Sequence, residues 1–251
     1  MNRLKVTCAR LGNPIASEFT AEMFSRYRTE LSEMGLTASA INREQAYLRG
    51  VFNELRRHGL WNKPNPLSTV RRLKVDEREL SFLTEAQIKE LLDALKNSES
   101  QDVHLVARVC LSTGARWSEA VRLRKHQVKN GRIDFTGTKN GKNRAVPISR
   151  DLEAELLVKL EKPDGRLFGD CMKAFRLALK KTSIRLPRGQ ATHVLRHTFA
   201  SHFMMNGGNI LTLQRILGHQ SLTMTMRYAH LSPEHLEGAR KFNPLSRLTL
   251  G

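Results

Sequence analysis

Apolar residues recur at helical spacing along most of the chain, beginning close to the N-terminus. Thr20 is a suitable N-cap for an amphipathic helix that runs to about Met34. Thr37 begins a second helix, which continues until Gly59 and has apolar residues at helical spacing: Ile41, Leu48, Phe52 and Leu55. These two helices predict a small helical module in the first part of the chain.

Regular structure is interrupted after the second helix. The segment Lys63-Pro64-Asn65-Pro66 disfavours a helix, and the charged run from Arg71 to Glu79 buries little apolar surface. We therefore predict an interdomain linker near residues 72–80. The first domain is expected at residues 1–76 and the second at residues 77–251.

The second domain opens with a well-marked helix start. Thr84-Glu85-Ala86-Gln87 has the pattern of a capping box, and apolar residues at helical spacing follow it: Ile88, Leu91, Leu92 and Leu95. The next helix, from about Val103 to Leu111, is apolar on most sides. It is predicted to lie in the centre of the domain and to end at Thr113-Gly114.

The pattern changes to that of strands between Arg132 and Ile148. An Asn140-Gly141 pair, typical of a tight hairpin, lies between the two apolar runs and is flanked by Lys139 and Lys142. Helices are predicted to resume at five later points: after Ser149, near Cys171, after Thr192, after Asn209 and after Ser221. The predicted fold class is mainly α, with a small antiparallel β-hairpin or sheet in the second domain.

Charge narrows the range of partners. The 251 residues carry a net charge of +18, of which +6 falls in residues 1–76 and +12 in the remainder. An excess of this kind is expected of a protein that binds a polyanion such as nucleic acid, although a generic basic protein with a solvated charged face has the same composition.

Cysteine spacing and the N-terminus indicate the compartment. Cys8, Cys110 and Cys171 are far apart and form no C-x-x-C pair, which fits a reducing cytoplasm. The first residues lack an apolar signal core, and no uninterrupted apolar run approaches the roughly 20 residues that cross a bilayer. We therefore expect a cytoplasmic protein without membrane insertion.

Basic side chains are concentrated around one tyrosine near the C-terminus. His193 and Arg196 are three residues apart and share a helix face, while His219 precedes Tyr228 by nine residues. The guanidinium of Arg196 matches two phosphate oxygens, and a phenol with an ordinary pKa of about 10 needs such surroundings to act as a nucleophile. The pattern indicates covalent catalysis on a phosphate.

Several residues that could take part in such chemistry also have a purely structural interpretation. Arg116 could form a buried ion pair with a nearby glutamate, His219 could cap a helix C-terminus, and Lys139 could be a solvated surface lysine. The spacing of His193 and His197 fits a zinc helix, but Val194 stands where a zinc protease has glutamate, and Arg196 lies between the two histidines. We expect no metal.

Five segments together resemble the tyrosine recombinases, and more closely the integrases of temperate phages. The resemblance spans nearly the whole chain and agrees in order and spacing. It is carried by the following segments: Thr113-Gly114-Ala115-Arg116-Trp117-Ser118-Glu119, Thr138-Lys139-Asn140-Gly141-Lys142-Asn143-Arg144-Ala145-Val146-Pro147, His193-Val194-Leu195-Arg196-His197, Leu217-Gly218-His219 and Tyr228.

The resemblance implies a role for each matched residue. Tyr228 would be the nucleophile, forming a 3′-phosphotyrosine without metal, cofactor or ATP. Arg116 and Arg196 would bind the scissile phosphate, and Lys139 would be the general acid toward the 5′-oxygen. Two histidines would assist: His193 would accept or orient a proton, and His219 would bond a non-bridging oxygen.

The resemblance also implies an architecture and partners. Residues 1–76 would be a helical core-binding domain and residues 77–251 the catalytic domain, closing around duplex DNA as a clamp. Arg43 and Lys142 are candidate contacts to the DNA backbone. A homotetramer on synapsed core sites is expected, with accessory DNA-bending proteins, near the nucleoid of a bacterial host. Many phage integrases have a further N-terminal domain that binds arm-type sites; nothing in this sequence resembles it, and the first domain is expected to be short at its start.

Two other functions fit the same features. A type IB-like topoisomerase uses similar chemistry but reseals the original strand, so sequence-specific cleavage distinguishes it from a recombinase. A catalytically silent basic DNA-binding protein could retain the fold, although six intact candidate positions argue against this alternative. Site-specific integration or excision of phage DNA is the function that the sequence favours.

Overall fold

The chain is mainly helical and contains one small antiparallel sheet, which confirms the predicted fold class. It divides into two compact units, Met1–Arg78 and Glu79–Gly251. The computed structural model describes four stretches of the chain: residues 2–75, 81–137, 143–187 and 189–233.

Within its described residues, the first unit contains three helices, α1 (Asn2–Arg10), α2 (Ala21–Glu33) and α3 (Ala38–Arg57). Thr20 and Thr37 cap α2 and α3 as predicted, because each hydroxyl accepts a hydrogen bond from the backbone N–H three residues later. The sequence pattern did not predict α1. Its apolar residues lie two positions apart, a spacing that does not indicate a helix.

The core of the first unit lies between α2 and α3. Tyr27 is buried there with several apolar residues, and its hydroxyl donates to the carboxylate of Glu44 over 2.5 Å. Burial, together with this carboxylate, raises the pKa of Tyr27 to about 12. The apolar members of this core include Phe19, Phe24, Leu31, Ile41, Leu48, Phe52 and Leu67. Tyr27 therefore has a packing role in this unit.

The second unit contains the remaining helices of the described residues. The helix starts predicted at Thr84, Ser149 and Asn209 are confirmed by side-chain caps, and Thr84 forms its capping box with Gln87. The bounds of these helices are α4 Glu85–Lys96, α5 Val103–Thr113, α6 Trp117–Val121, α7 Arg150–Val158, α8 Met172–Lys180, α9 His193–Met205, α10 Ile210–Leu217 and α11 Thr223–Met226.

Helix α5 lies in the centre of the second unit, as its apolar sequence predicts. It ends at Gly114, whose φ of +65° is left-handed. A Cβ atom at this position would lie 2.6 Å from the ring of Phe199 on α9. Glycine therefore both ends α5 and allows α9 to approach the turn that precedes Arg116.

The sheet consists of β1 (Val128–Lys129), β2 (Arg132–Phe135) and β3 (Arg144–Pro147), paired antiparallel in that order. The hairpin between β1 and β2, which the sequence pattern did not predict, turns at Asn130-Gly131 with φ values of +53° and +70°. Strands β2 and β3 pair as predicted. The predicted turn at Asn140-Gly141, with Lys139 and Lys142, lies outside the described residues.

Hydropathy of the helices bears on the membrane prediction. Over the four described stretches, every helix is too short or too polar to cross a bilayer.

Candidate active site

Arg196 lies at the centre of the candidate site, in the first turn of α9. It is buried, and its two terminal nitrogens donate to backbone carbonyls, Nη1 to Gly114 over 2.8 Å and Nη2 to Leu217 over 2.7 Å. These carbonyls belong to the ends of α5 and α10, so the arginine joins two helix termini to its own helix. Each terminal nitrogen retains a second N–H for another acceptor.

The charge of Arg196 is destabilised in the absence of an anion. Burial lowers its pKa to about 10, and the positive charges of Arg116 and Arg144 act in the same direction. A buried guanidinium with cations around it gains stability when an anion arrives. The surroundings of Arg196 therefore favour binding of a phosphate over water.

Arg116 caps the start of α6 and forms the ion pair that was the structural alternative for this residue. Its backbone N–H and its Nη1 each donate to Glu119 over 2.9 Å. The same carboxylate receives a hydrogen bond from Nη2 of Arg144 over 2.7 Å. Hydrogen bonds and charges from the two arginines outweigh burial and lower the pKa of Glu119, which stays ionised.

Arg144 was not among the predicted site residues. It lies on β3, its side chain is 6% exposed, and its guanidinium stacks over the ring of Phe135 at 4.5 Å. Its Nε has no hydrogen-bond partner in the described residues. The spacing of Arg116 and Glu119 at i and i+3 could have revealed the first ion pair, but no local pattern connects Arg144 to them.

Two of the predicted histidines differ in their surroundings. His193 is exposed at the start of α9, and partial desolvation and the charges of Arg196 and Arg116 lower its pKa. His219 is buried just after α10, and its Nδ1 lies 2.9 Å from the hydroxyl of Thr225. Burial, then Arg196 and other cations, lower its pKa to about 4, so this imidazole is neutral at pH 7.

His219 does not use its side chain to cap α10, which was the structural alternative. Its backbone N–H bonds to Gln214, while Gly218 adopts the left-handed conformation that ends the helix. Since Nδ1 is occupied by the threonine hydroxyl, Nε2 is the nitrogen left to contact a ligand.

Tyr228 is 2% exposed and follows α11. Its ring packs in a small apolar cluster with α9 and α10, and its hydroxyl lies 2.6 Å from Nδ1 of His197. Burial raises the pKa of Tyr228, while the charges of Arg196 and Arg227 oppose that shift. Tyr228 therefore has the packed ring and the bonded hydroxyl of a structural tyrosine, and it also lies in the electrostatic field of Arg196.

The arrangement can hold an anion beside a phenol. Arg116 and Arg144 share the carboxylate of Glu119, and its charge also acts on Arg196, so three guanidinium groups are set against one negative charge and positive charge remains in excess. Within the described stretches, no group of three or more His, Cys, Asp or Glu side chains could hold a metal ion. Lys139 and Lys142 lie outside those stretches, and Arg43 is exposed on α3 of the first unit.

Comparison with known proteins identifies the family. Residues 1–74 match the phage integrase N-terminal domain, and residues 81–235 match the phage integrase family. The chain belongs to the phage integrase family and is a tyrosine site-specific recombinase.

Its relatives include integrases of two bacteriophages. The integrase of Escherichia phage 186 is 51% identical over 251 residues, covering 95% of this chain and 73% of that protein. The integrase of Haemophilus phage HP1 is 52% identical over 252 residues, covering 97% of this chain and 74% of that protein.

Solved structures agree with the fold. The catalytic domain of bacteriophage HP1 integrase is 57% identical with a TM-score of 0.63, covering 67% of this chain and 98% of that domain. The Tn1549 transposon integrase, solved in complex with a circular intermediate DNA, has a TM-score of 0.71 over 96% of this chain and 93% of that chain. At 20% identity, the second likeness shows the fold alone.

Proposed function

We propose that this recombinase integrates and excises phage DNA by cleaving and rejoining strands through a 3′-phosphotyrosine at Tyr228. The observation that carries the proposal is the buried phenol of Tyr228 within the field of Arg196, a guanidinium anchored to two helix ends. A buried cation beside a buried phenol has little use in packing, whereas a phosphodiester between them would be bound and attacked.

The proposed roles follow the charges that develop in the reaction. Arg196 and Arg116 bind the non-bridging oxygens and stabilise the pentacoordinate transition state, and Nε2 of His219 donates to one of these oxygens. Lys139 protonates the leaving 5′-oxygen, and His193, exposed at the start of α9, orients or accepts a proton. The phosphotyrosine retains the free energy of the broken phosphodiester linkage, so a 5′-hydroxyl can reseal the strand without metal or ATP.

The proposed partner is duplex DNA at attachment core sites. The net charge of +18 supports it, since each phosphate contact releases counterions. The Tn1549 integrase and the XerH recombinase, which share the fold, were solved with bound DNA. We infer that residues 1–76 bind the core site through contacts such as Arg43. Residues 77–251 cut the site, and Lys142 contacts the DNA backbone. Four copies assemble on synapsed DNA with accessory DNA-bending proteins.

A suicide-substrate assay tests the function. The wild-type protein, Tyr228→Phe and the matched control Tyr47→Phe are incubated in EDTA with nicked duplexes carrying a core site, and covalent adducts are separated after denaturation. Tyr47 lies in the first unit and is 43% exposed. We expect an adduct for the wild type and for Tyr47→Phe, and none for Tyr228→Phe. A wild-type protein that binds a verified core site and forms no adduct contradicts the proposal and favours the silent DNA-binding alternative.

Strand exchange separates a recombinase from a type IB-like topoisomerase. A recombinase cleaves at its core site and joins the phosphotyrosine to a second duplex, whereas the topoisomerase relaxes supercoils with little sequence preference. We expect adducts on the core duplex and not on a duplex of the same composition in scrambled order, followed by joining to a labelled second core site.

A further inference from the structure

The hydroxyl of Tyr228 is bonded to a histidine that the roles above do not use. Nδ1 of His197 lies 2.6 Å from the phenolic oxygen, and the two ring centroids are 6.0 Å apart. In the described residues, the phenolic oxygen has no hydrogen bond to His193 or to His219. The imidazole that touches the reacting atom is therefore the one at position 197.

Burial determines the direction of this hydrogen bond. Tyr228 is 2% exposed, and a buried hydroxyl requires an acceptor for its proton. Within the described stretches, His197 is the partner of this hydroxyl. Burial lowers the pKa of His197 to about 4, so the imidazole is neutral at pH 7 and carries one proton. Tyr228 therefore donates to Nδ1, and the proton of His197 lies on Nε2.

We propose that His197 is a catalytic residue: its Nδ1 holds the hydroxyl of Tyr228 before DNA binds and takes its proton during attack on the phosphate. This inference rests on the proposed function, since the proton leaves only if Tyr228 is the nucleophile. The bond between Oη and its proton breaks as Nδ1 gains that proton, and Oη bonds to phosphorus. The bond from phosphorus to the 5′-oxygen breaks, and the general acid protonates that oxygen.

The charges around His197 make it a base whose strength depends on the substrate. His193, one turn earlier on α9, Arg227 beside the tyrosine and Arg196 on α9 all disfavour a positive imidazole in the free protein. A phosphodiester bound by Arg196 brings a negative charge that opposes these three groups. Proton transfer from Tyr228 is thus disfavoured without DNA and assisted when the scissile phosphate is in place.

The position of His197 on α9 supports this role over a packing role. The helix places Arg196, which would bind the phosphate, directly beside the histidine that bonds the nucleophile. His193 lies one turn earlier on α9, with its ring centroid 6.3 Å from that of His197. One helical turn therefore carries both the phosphate ligand and the group that contacts the attacking oxygen.

The test compares His197→Asn with the wild type in single-turnover cleavage of the nicked core-site duplex. Asparagine retains an acceptor near the position of Nδ1 but cannot take a proton. His104→Asn is the matched control, because His104 is a half-buried histidine on α5 whose charged neighbours, Arg108, Glu155, Lys96 and Asp93, have no proposed catalytic role. Thermal unfolding and binding to the same duplex are measured for each variant, and His197→Gln replaces His197→Asn if the latter does not fold.

A second substrate separates attack from leaving-group departure. In a duplex with a 5′-bridging sulfur at the scissile phosphate, the leaving thiolate needs no general acid, so cleavage by Lys139→Ala is expected to recover. We expect His197→Asn to bind DNA normally, to cleave the ordinary duplex at least about 100-fold more slowly, and to show no recovery with sulfur. Its rate should rise about tenfold per pH unit from pH 7 to pH 9, because the phenol then ionises to solvent.

The outcomes distinguish this inference from the proposed function. If the wild type forms no adduct, the proposed function itself fails. If the wild type forms an adduct and His197→Asn cleaves within about threefold of His104→Asn, His197 is not the base. Recovery of His197→Asn by the sulfur substrate also overturns the inference, since it assigns the histidine to the leaving group. A uniform loss in rate with the pH dependence of the wild type indicates a positioning effect and overturns proton transfer.

Discussion

Replacement of Glu119 by glutamine removes the one negative charge shared by two arginines of the site. The carboxylate side chain is 11% exposed and accepts from the backbone and side chain of Arg116 and from the buried side chain of Arg144. Glutamine keeps one acceptor oxygen and turns an N–H pair toward groups that are themselves donors. Both guanidinium groups then lose their counter-charge.

The expected loss of stability follows from these contacts. Removing one partner from a buried ion pair costs about 3–5 kcal/mol. Since the side chain of Arg116 is 23% exposed and regains water, we take the low end, about 3 kcal/mol. In a unit of this size the thermal transition should fall by roughly 6–12 °C. Strand cleavage should fall as well, because Arg116 loses the carboxylate that orients it.

Urea unfolding of the two proteins measures the difference, with Glu161→Gln as the control. Glu161 is exposed, and its replacement should change stability by less than about 0.5 kcal/mol. The pKa of Glu119 is lowered in the folded state, so its contribution to the free energy of unfolding is fully present above the pKa of the unfolded state. That contribution is lost as the pH falls through the folded pKa, so wild type and Glu119→Gln should converge in acid. A Glu119→Gln protein as stable as Glu161→Gln at neutral pH refutes the reasoning.

Two further replacements test how the site is held. Gly114→Ala combines a strained positive φ with a Cβ contact of 2.6 Å, whereas Gly131→Ala has the same kind of strain but open space around its Cβ. Calorimetry should therefore find that Gly114→Ala lowers the free energy of unfolding by about 1–3 kcal/mol more than Gly131→Ala does. Thr225→Val removes the hydroxyl that bonds Nδ1 of His219. We expect cleavage to fall at least about tenfold and Thr225→Ser to restore it; equal rates for valine and serine would show that the hydroxyl is unimportant.

The contacts of Arg196 suggest why the site assembles only in the folded second unit. Its two backbone acceptors, Gly114 and Leu217, are 82 and 21 residues away along the chain. Glu119 joins a helix start to strand β3 in the same way. Because Arg196 and Tyr228 are each held by a residue distant in the sequence, damage to packing should be seen in cleavage before it is seen in DNA binding.

Much of the secondary structure could be predicted from local sequence. Thr20, Thr37, Thr84 and Ser149 cap helices through bonds to backbone groups three residues away, so the information lies within one turn. The buried centre of α5 follows from its apolar composition. Local pattern failed for α1, whose apolar spacing is not helical, and for β1, which has only two residues.

The sequence by itself determined the mainly helical fold with a small sheet, the family and the candidate residues for phosphate chemistry, because caps, apolar periodicity and short motifs are local properties. Only the tertiary structure decided which of these residues meet. Tyr228 bonds to His197 rather than to His193, and Arg144 joins Arg116 through Glu119. These contacts join residues up to 31 positions apart, and their partners depend on how helices and strands pack, which no single segment encodes.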